Sequence, residues 1–171
     1  MNDATGRVAE LTASLAAMRA RLSRAADAAD RRVEDITLLP VTKFFPASDV
    51  AILWRLGCRA FGESRVQETA AKIAEFDRLV PPDPDTGPAR WHMIGHLQRN
   101  KARAVAAWAH TVHSVDSAKL AATLDAAAVE VMNDGGRTDP VEVFVQVSLD
   151  GDTARGGVDI EIGRASCRER V

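Results

Sequence analysis

The chain has 171 residues, 46% of them apolar and 27% charged, a composition typical of one soluble globular domain with a real core. Its formal net charge of −2 argues against a general nucleic-acid-binding protein, which normally has a basic face. No apolar stretch approaches the roughly 18–20 residues that cross a bilayer, no secretory signal is visible, and the two cysteines suggest neither a disulfide framework nor a metal site. We therefore expect a cytoplasmic protein that binds neither nucleic acid nor membrane.

Alternating patterns divide the chain into strands and helices. Apolar residues at steps of three and four indicate helices, and short continuous apolar runs indicate strands that are buried on both faces. In chain order the sequence predicts helix 4–32, strand 36–43, helix 46–57, strand 58–63, helix 65–79, strand 91–95, helix 97–109, strand 111–115, helix 117–132 and strand 141–148. Five strands that alternate with helices predict an α/β fold with a parallel sheet, either open and doubly wound or part of a (β/α)₈ barrel.

Lys43 stands at the C-terminal end of the first predicted strand. An ammonium group loses hydration in such a position, and desolvation lowers the pKa of a lysine amine, which frees it to act as a nucleophile. That is the chemistry that a Schiff base with an aldehyde requires. The alternative is that the side chain only extends from the strand end into water.

Further polar residues follow the later strands, at the edge where parallel α/β folds bind ligands. They include Glu63, Ser64, His96, Ser114 and Ser148. For Ser64, capping of the next helix is an equally good interpretation. His92 and His96 are four residues apart but not on one helix, and no third ligand is evident, so a zinc site is disfavoured.

Four segments occur in a characteristic order and spacing: residues 38–43 (LLPVTK), 61–68 (FGESRVQE), 91–101 (WHMIGHLQRNK) and 112–116 (VHSVD). Together they resemble the pyridoxal 5′-phosphate homeostasis proteins, which are relatives of the N-terminal barrel of alanine racemase. The third segment is long and specific. The resemblance extends roughly over residues 8–158.

This resemblance implies a fold-type III (β/α)₈ barrel in which Lys43 carries pyridoxal phosphate as a Schiff base. It also implies cofactor contacts at Ser64, His92, Gly95 and Ser114. Most family members have asparagine at the position of Ser64. No metal and no catalytic residue beyond the lysine is expected.

The resemblance ends before the chain does. Residues 1–158 are expected to form part of the barrel, truncated after about five strands, and residues 159–171 to be a tail from outside the family, derived from a vector or a frame artefact. The serine- and glycine-rich loops that hold the phosphate in the family have no counterpart here. Inward-facing residues such as Val41 and Val145 would then lack their opposite layer.

The function implied is that of a monomeric intracellular carrier and buffer of pyridoxal phosphate, whose partners are the cofactor and the apoenzymes that depend on it. Racemization in the related barrels uses a lysine and a tyrosine, and this sequence has no tyrosine. Two alternatives stay open. One is a fold-type III enzyme that acts on amino acids with Lys43 as the base, and the other is a fragment that no longer binds the cofactor.

Overall fold

The computed structural model describes residues 3–81, 83–152 and 156–161. Within them, four parallel strands form one sheet in the order β1-β2-β3-β4. The strands are β1 (Ala60–Glu63), β2 (Arg90–Met93), β3 (Thr111–Val115) and β4 (Glu142–Val145), and the helices are α1 (Asp3–Ala28), α2 (Ala47–Arg55), α3 (Val66–Leu79), α4 (Ala102–Ala106) and α5 (Ala118–Asn133). The predicted α/β class and the parallel sheet are confirmed.

The first predicted strand, 36–43, is wrong as a strand. Only Val41 pairs, in an isolated parallel bridge with Gly62 of β1. The Gly62 N–H donates to the Pro40 carbonyl at 2.8 Å, and the Thr42 N–H donates to the Gly62 carbonyl at 2.9 Å. Pro40 has no N–H with which to extend this ladder toward the N-terminus. The segment therefore lies beside β1 as a fifth parallel element that is one pairing long.

Other predicted elements are present with shifted ends. The predicted helix 97–109 is divided into a 3₁₀ turn at Arg99–Lys101 and the short α4. The predicted strand 141–148 is reduced to β4, after which Val147 forms an isolated bridge with Val158. The predicted tail 159–171 lies outside the described residues from position 162 onward, so its origin stays a prediction.

The buried side chains between sheet and helices form two clusters. In the aromatic cluster, the rings of Phe61 and Phe76 each lie 5.5 Å from that of Trp91. The aliphatic cluster is centred on Met93, Val105, Val112, Leu120 and Leu124. Cys58 is buried against the aromatic cluster, as its apolar neighbours predict, and burial raises the pKa of its thiol.

The opposite face of the sheet carries the alternate side chains. His92 of β2 and His113 of β3 lie near its middle, with the rings of His113 and Phe144 4.9 Å apart. The flanks are open, since Val41 is 46% and Phe144 55% exposed. In the part of the chain that the structure describes, none of the helices has the length and hydropathy needed to cross a bilayer.

Candidate functional site

Lys43 lies in a tight turn at the carboxyl edge of the sheet. The turn is closed by the Phe45 N–H, which donates to the Thr42 carbonyl at 2.9 Å. The Lys43 ammonium lies 5.1 Å from the ring centroid of Phe44, and the guanidinium carbon of Arg65 lies 4.9 Å from the same centroid. Both distances are within the range of cation–π attraction.

The Lys43 amine is accessible. Its side chain is only half-buried, so the full desolvation expected at the end of a buried strand is not found. Within residues 3–81, 83–152 and 156–161, no carboxylate forms an ion pair with it. The Lys43 amine therefore lies at the protein surface, at the carboxyl edge of the sheet, without an ion-pair partner among the described residues.

A buried polar network lies directly beside Lys43. The Thr42 hydroxyl donates to Glu63 Oε1 at 2.7 Å, and Lys72 Nζ donates to the same oxygen at 2.8 Å and to the Thr42 carbonyl at 2.8 Å. Glu63 is 1% exposed and Thr42 is 2% exposed. Lys72, which lies on α3, is therefore committed to a carboxylate, whereas Lys43 is not.

Three of the predicted site residues come together at the ends of neighbouring strands. A Cβ built on Gly95 would lie 2.8 Å from the Cβ of Ser64, so only glycine allows this approach of the two strand ends. The Ser114 hydroxyl donates to the Gly95 carbonyl. Ser64 does not cap the following helix, because α3 begins at Val66 and Arg65 takes the capping position. Ser64, Gly95 and Ser114 thus form a continuous rim.

His92 lies elsewhere. Its Nδ1 is 2.9 Å from Nε2 of His113, on the face of the sheet below the rim. Burial, with a contribution from neighbouring His113, lowers the pKa of His92 to about 4, so the ring is neutral at pH 7. Two neutral imidazoles at this distance share one proton, with one ring as donor and the other as acceptor. The structure pairs His92 with His113 and shows no contact between His92 and the rim.

Sequence reasoning missed the network of Thr42, Glu63 and Lys72 and the partner of His92. A signal for the network was present: Glu63 ends a strand of apolar residues, and Lys72 precedes Ile73 on the apolar side of its helix. A charged residue in each apolar pattern indicates a buried pair, since a lone buried charge is costly. The pairing of His92 with His113 depends on the register of β2 and β3, which the sequence does not reveal.

No group of three or more His, Cys, Asp or Glu side chains in the described parts of the chain is arranged to hold a metal ion. His96 Nδ1 lies 3.7 Å from Asp116 Oδ2, whereas His92 is hydrogen-bonded to His113. The site therefore presents the accessible primary amine of Lys43 beside the rim of Ser64, Gly95 and Ser114.

Comparison with known proteins shows which family the chain resembles. No protein-family model matches the chain. Proteins named pyridoxal phosphate homeostasis protein from Mycobacterium tuberculosis and Mycobacterium bovis are 57% identical to it over 155 residues, which is 90% of this chain and 60% of theirs. The protein of that name from Escherichia coli is 35% identical over 152 residues, again 60% of its length.

Solved structures agree. PipY of Synechococcus elongatus, determined without and with pyridoxal phosphate bound, is 35% identical, with TM-scores of 0.66 and 0.64 over 86% of this chain and 62% of PipY. A Bifidobacterium adolescentis protein described as unknown is 28% identical, with a TM-score of 0.78. The chain spans about 60% of the length of the curated relatives that it matches. The resemblance carried by the four motifs is confirmed: over the part that it shares with these relatives, the chain belongs to the pyridoxal phosphate homeostasis protein family.

Proposed function

We propose that this chain is the cofactor-bearing part of a protein that holds pyridoxal phosphate and releases it to apoenzymes, through reversible attachment at Lys43. The observation that carries the proposal is an accessible amine without a carboxylate partner among the described residues, at the carboxyl edge of a parallel sheet. The names of the relatives and the cofactor bound to PipY support it.

The residues at the edge fit the aldehyde end of the cofactor. The cofactor, when bound, supplies an electrophilic carbonyl carbon. Lys43 would hold the cofactor at this carbon, because a primary amine is the group that condenses with an aldehyde and releases one water molecule. Ser64 and Gly95 offer a hydroxyl and a close backbone approach on the neighbouring strand ends. The Ser114 hydroxyl and the His92 ring act indirectly, because each is already bonded within the protein, to Gly95 and His113.

The proposal extends to the finer features that the resemblance implies. We propose a fold-type III (β/α)₈ barrel in which residues 1–158 form the first part and residues 159–171 lie outside the family pattern. The phosphate group is then held by residues in the remaining 40% or so of the relatives' length. The protein is a cytoplasmic monomer that hands the cofactor to apoenzymes.

The absence of tyrosine from the 171 residues supports storage rather than racemization. A two-base racemase needs a second acid or base on the face of the substrate opposite the lysine. The alternative enzyme acting on amino acids would show sustained formation of D-amino acids from L-amino acids in the presence of the cofactor. We expect none above the rate of free pyridoxal phosphate, measured by chiral chromatography.

The direct test of binding is an absorbance titration of the chain with pyridoxal phosphate. We expect a visible band that is lost in Lys43→Ala and kept in the matched control Lys119→Ala, whose lysine is exposed on α5. A band that is equal in both variants would contradict the assignment of Lys43.

A further inference from the structure

The residue before Lys43 has every polar atom hydrogen-bonded. The Thr42 N–H donates to the Gly62 carbonyl at 2.9 Å, and its hydroxyl donates to Glu63 Oε1 at 2.7 Å. Its carbonyl accepts from Lys72 Nζ at 2.8 Å and from the Phe45 N–H at 2.9 Å. Thr42 is thus fixed from β1, from α3 and from the turn that contains Lys43.

Stability alone does not account for this arrangement. Glu63 is 1% exposed and the Lys72 side chain 11% exposed, so both charges are largely withdrawn from water. Burying an ion pair carries a desolvation cost, and apolar residues of similar volume often give equal or greater stability. The network is better explained by what it holds in place.

What it holds is the peptide that leads into Lys43. A peptide unit is planar, so the direction of the Thr42 carbonyl fixes the direction in which the Lys43 backbone leaves Thr42. Two donors hold that carbonyl, one of them Lys72 Nζ. The ladder to β1 contributes only one bridge, at Val41, and so leaves the segment weakly aligned without the network.

We propose that Thr42, Glu63 and Lys72 are positioning residues that orient Lys43 at the carboxyl edge, a role that rests on the proposed function of Lys43. Glu63 places the Lys72 ammonium, and Lys72 in turn fixes the Thr42 carbonyl. The same bonds keep the Lys72 amine occupied, so that of Lys43 and Lys72 only Lys43 is without a carboxylate partner among the described residues.

The test uses the whole 171-residue chain and two matched pairs of variants. Thr42→Val removes the hydroxyl with little change in shape, and Thr42→Ser keeps it. Lys72→Met removes the ammonium, and Lys72→Arg keeps a donor pair. Each variant is labelled with pyridoxal phosphate and borohydride, and the label on Lys43 is divided by that on Lys119. Hydrogen exchange of the amides of residues 42–45 is measured separately, without cofactor, well below the melting midpoint of each variant.

We expect Thr42→Val and Lys72→Met to lower the ratio of Lys43 to Lys119 label about tenfold and to speed exchange at residues 42–45, since small displacements of a reacting group are costly. In Thr42→Ser and Lys72→Arg the ratio of Lys43 to Lys119 label should stay within about twofold of that in the starting chain, because both variants keep the hydrogen-bonding groups that hold Lys43 in place. An unchanged label ratio in both disruptive variants would overturn the positioning role. So would exchange at residues 42–45 that is accelerated no more than the loss of unfolding free energy in each variant accounts for, because that is the signature of a merely structural contribution.

The same experiment distinguishes failure of the proposed function of Lys43 from failure of the positioning role. If the starting chain shows no preference for Lys43 over Lys119, the proposed function fails. Exchange at residues 42–45 then decides the positioning role alone: local acceleration in Thr42→Val supports it, and unchanged exchange overturns it.

Discussion

The two edges of the sheet are built differently. At the β1 edge, the segment around Val41 pairs with Gly62, and Glu63 below it is fully buried in an ion pair. At the β4 edge, Val145 is 42% exposed and Leu149 86% exposed. Apolar side chains are exposed at both edges, since Val41 is 46% exposed, but at the first edge the buried carboxylate of Glu63 is paired with Lys72. Among the described residues, the segment that carries Lys43 is therefore anchored by a buried ion pair, whereas the end of β4 exposes its apolar side chains.

The largest contrast is expected in the aromatic core under β1. Phe61 is fully buried against Phe76 and Trp91, and its replacement by alanine should cost about 3–5 kcal/mol of unfolding free energy. Phe144 on β4 is 55% exposed, so Phe144→Ala is the matched control and should cost far less. Denaturant titrations of both variants check this. Equal losses would mean that the β4 edge is as well packed as the β1 edge.

The buried ion pair should give the next effect. Lys72→Met leaves Glu63 as an unpaired buried charge, and breaking such a pair costs about 3 kcal/mol or more. The double variant Glu63→Leu/Lys72→Met removes both charges and should recover most of that loss. A double-mutant cycle on the free energies of unfolding measures the coupling between Glu63 and Lys72. Additive losses would show that the two side chains do not interact as the structure places them.

A third test uses His92 and the dependence of the unfolding free energy on pH. Its pKa is lowered from 6.5 to about 4 in the folded protein, so the unfolded chain binds the proton more tightly. The stability from this group is fully present above pH 6.5 and is lost as the pH falls toward 4. His92→Gln should reduce the slope of stability against pH in that window. A remainder is expected from His110 and His113, whose pKa values burial also lowers.

That slope is measured by chemical denaturation at intervals between pH 4 and pH 7, in the starting chain and in His92→Gln. The same slope in both would show that His92 titrates alike in the folded and unfolded states. The His92 ring would then not be buried in solution as the structure places it.

A helix cap gives the smallest effect and tests the region behind β3. The Leu120 N–H donates to the Ser117 hydroxyl at 3.3 Å at the start of α5. Ser117→Ala should cost about 1 kcal/mol, and Ser117→Asp, which keeps an acceptor, should cost less. Thermal melts of the two variants provide the comparison. Identical melts would place the start of α5 elsewhere.

The sequence predicted the order of strands and helices because apolar residues recur at helical spacing over several turns of α1, α3 and α5. It failed at residues 36–43, where an apolar run meets Pro40 and forms a single bridge. For Ser64 the sequence left capping open as an alternative, which the structure excludes because α3 begins one residue later than that role requires.

The site was predictable only in part. Lys43 was singled out from its place at the end of a predicted strand, and the motifs indicated Gly95 and Ser114, which the structure joins to Ser64 at the rim. The role of His92 could not be predicted, since its contact with His113 crosses between strands. Pairings across the sheet follow from register, and no local pattern specifies register to one residue.

We propose that Lys43, and not another of the four lysines, bonds to pyridoxal phosphate. The most direct measurement is borohydride reduction of the cofactor-loaded chain, followed by peptide mapping of Lys43, Lys72, Lys101 and Lys119. We expect the label on Lys43. Little label is expected on Lys72, which is buried and ion-paired, and only background labelling elsewhere. Label on Lys101 or Lys119 with none on Lys43 would contradict it.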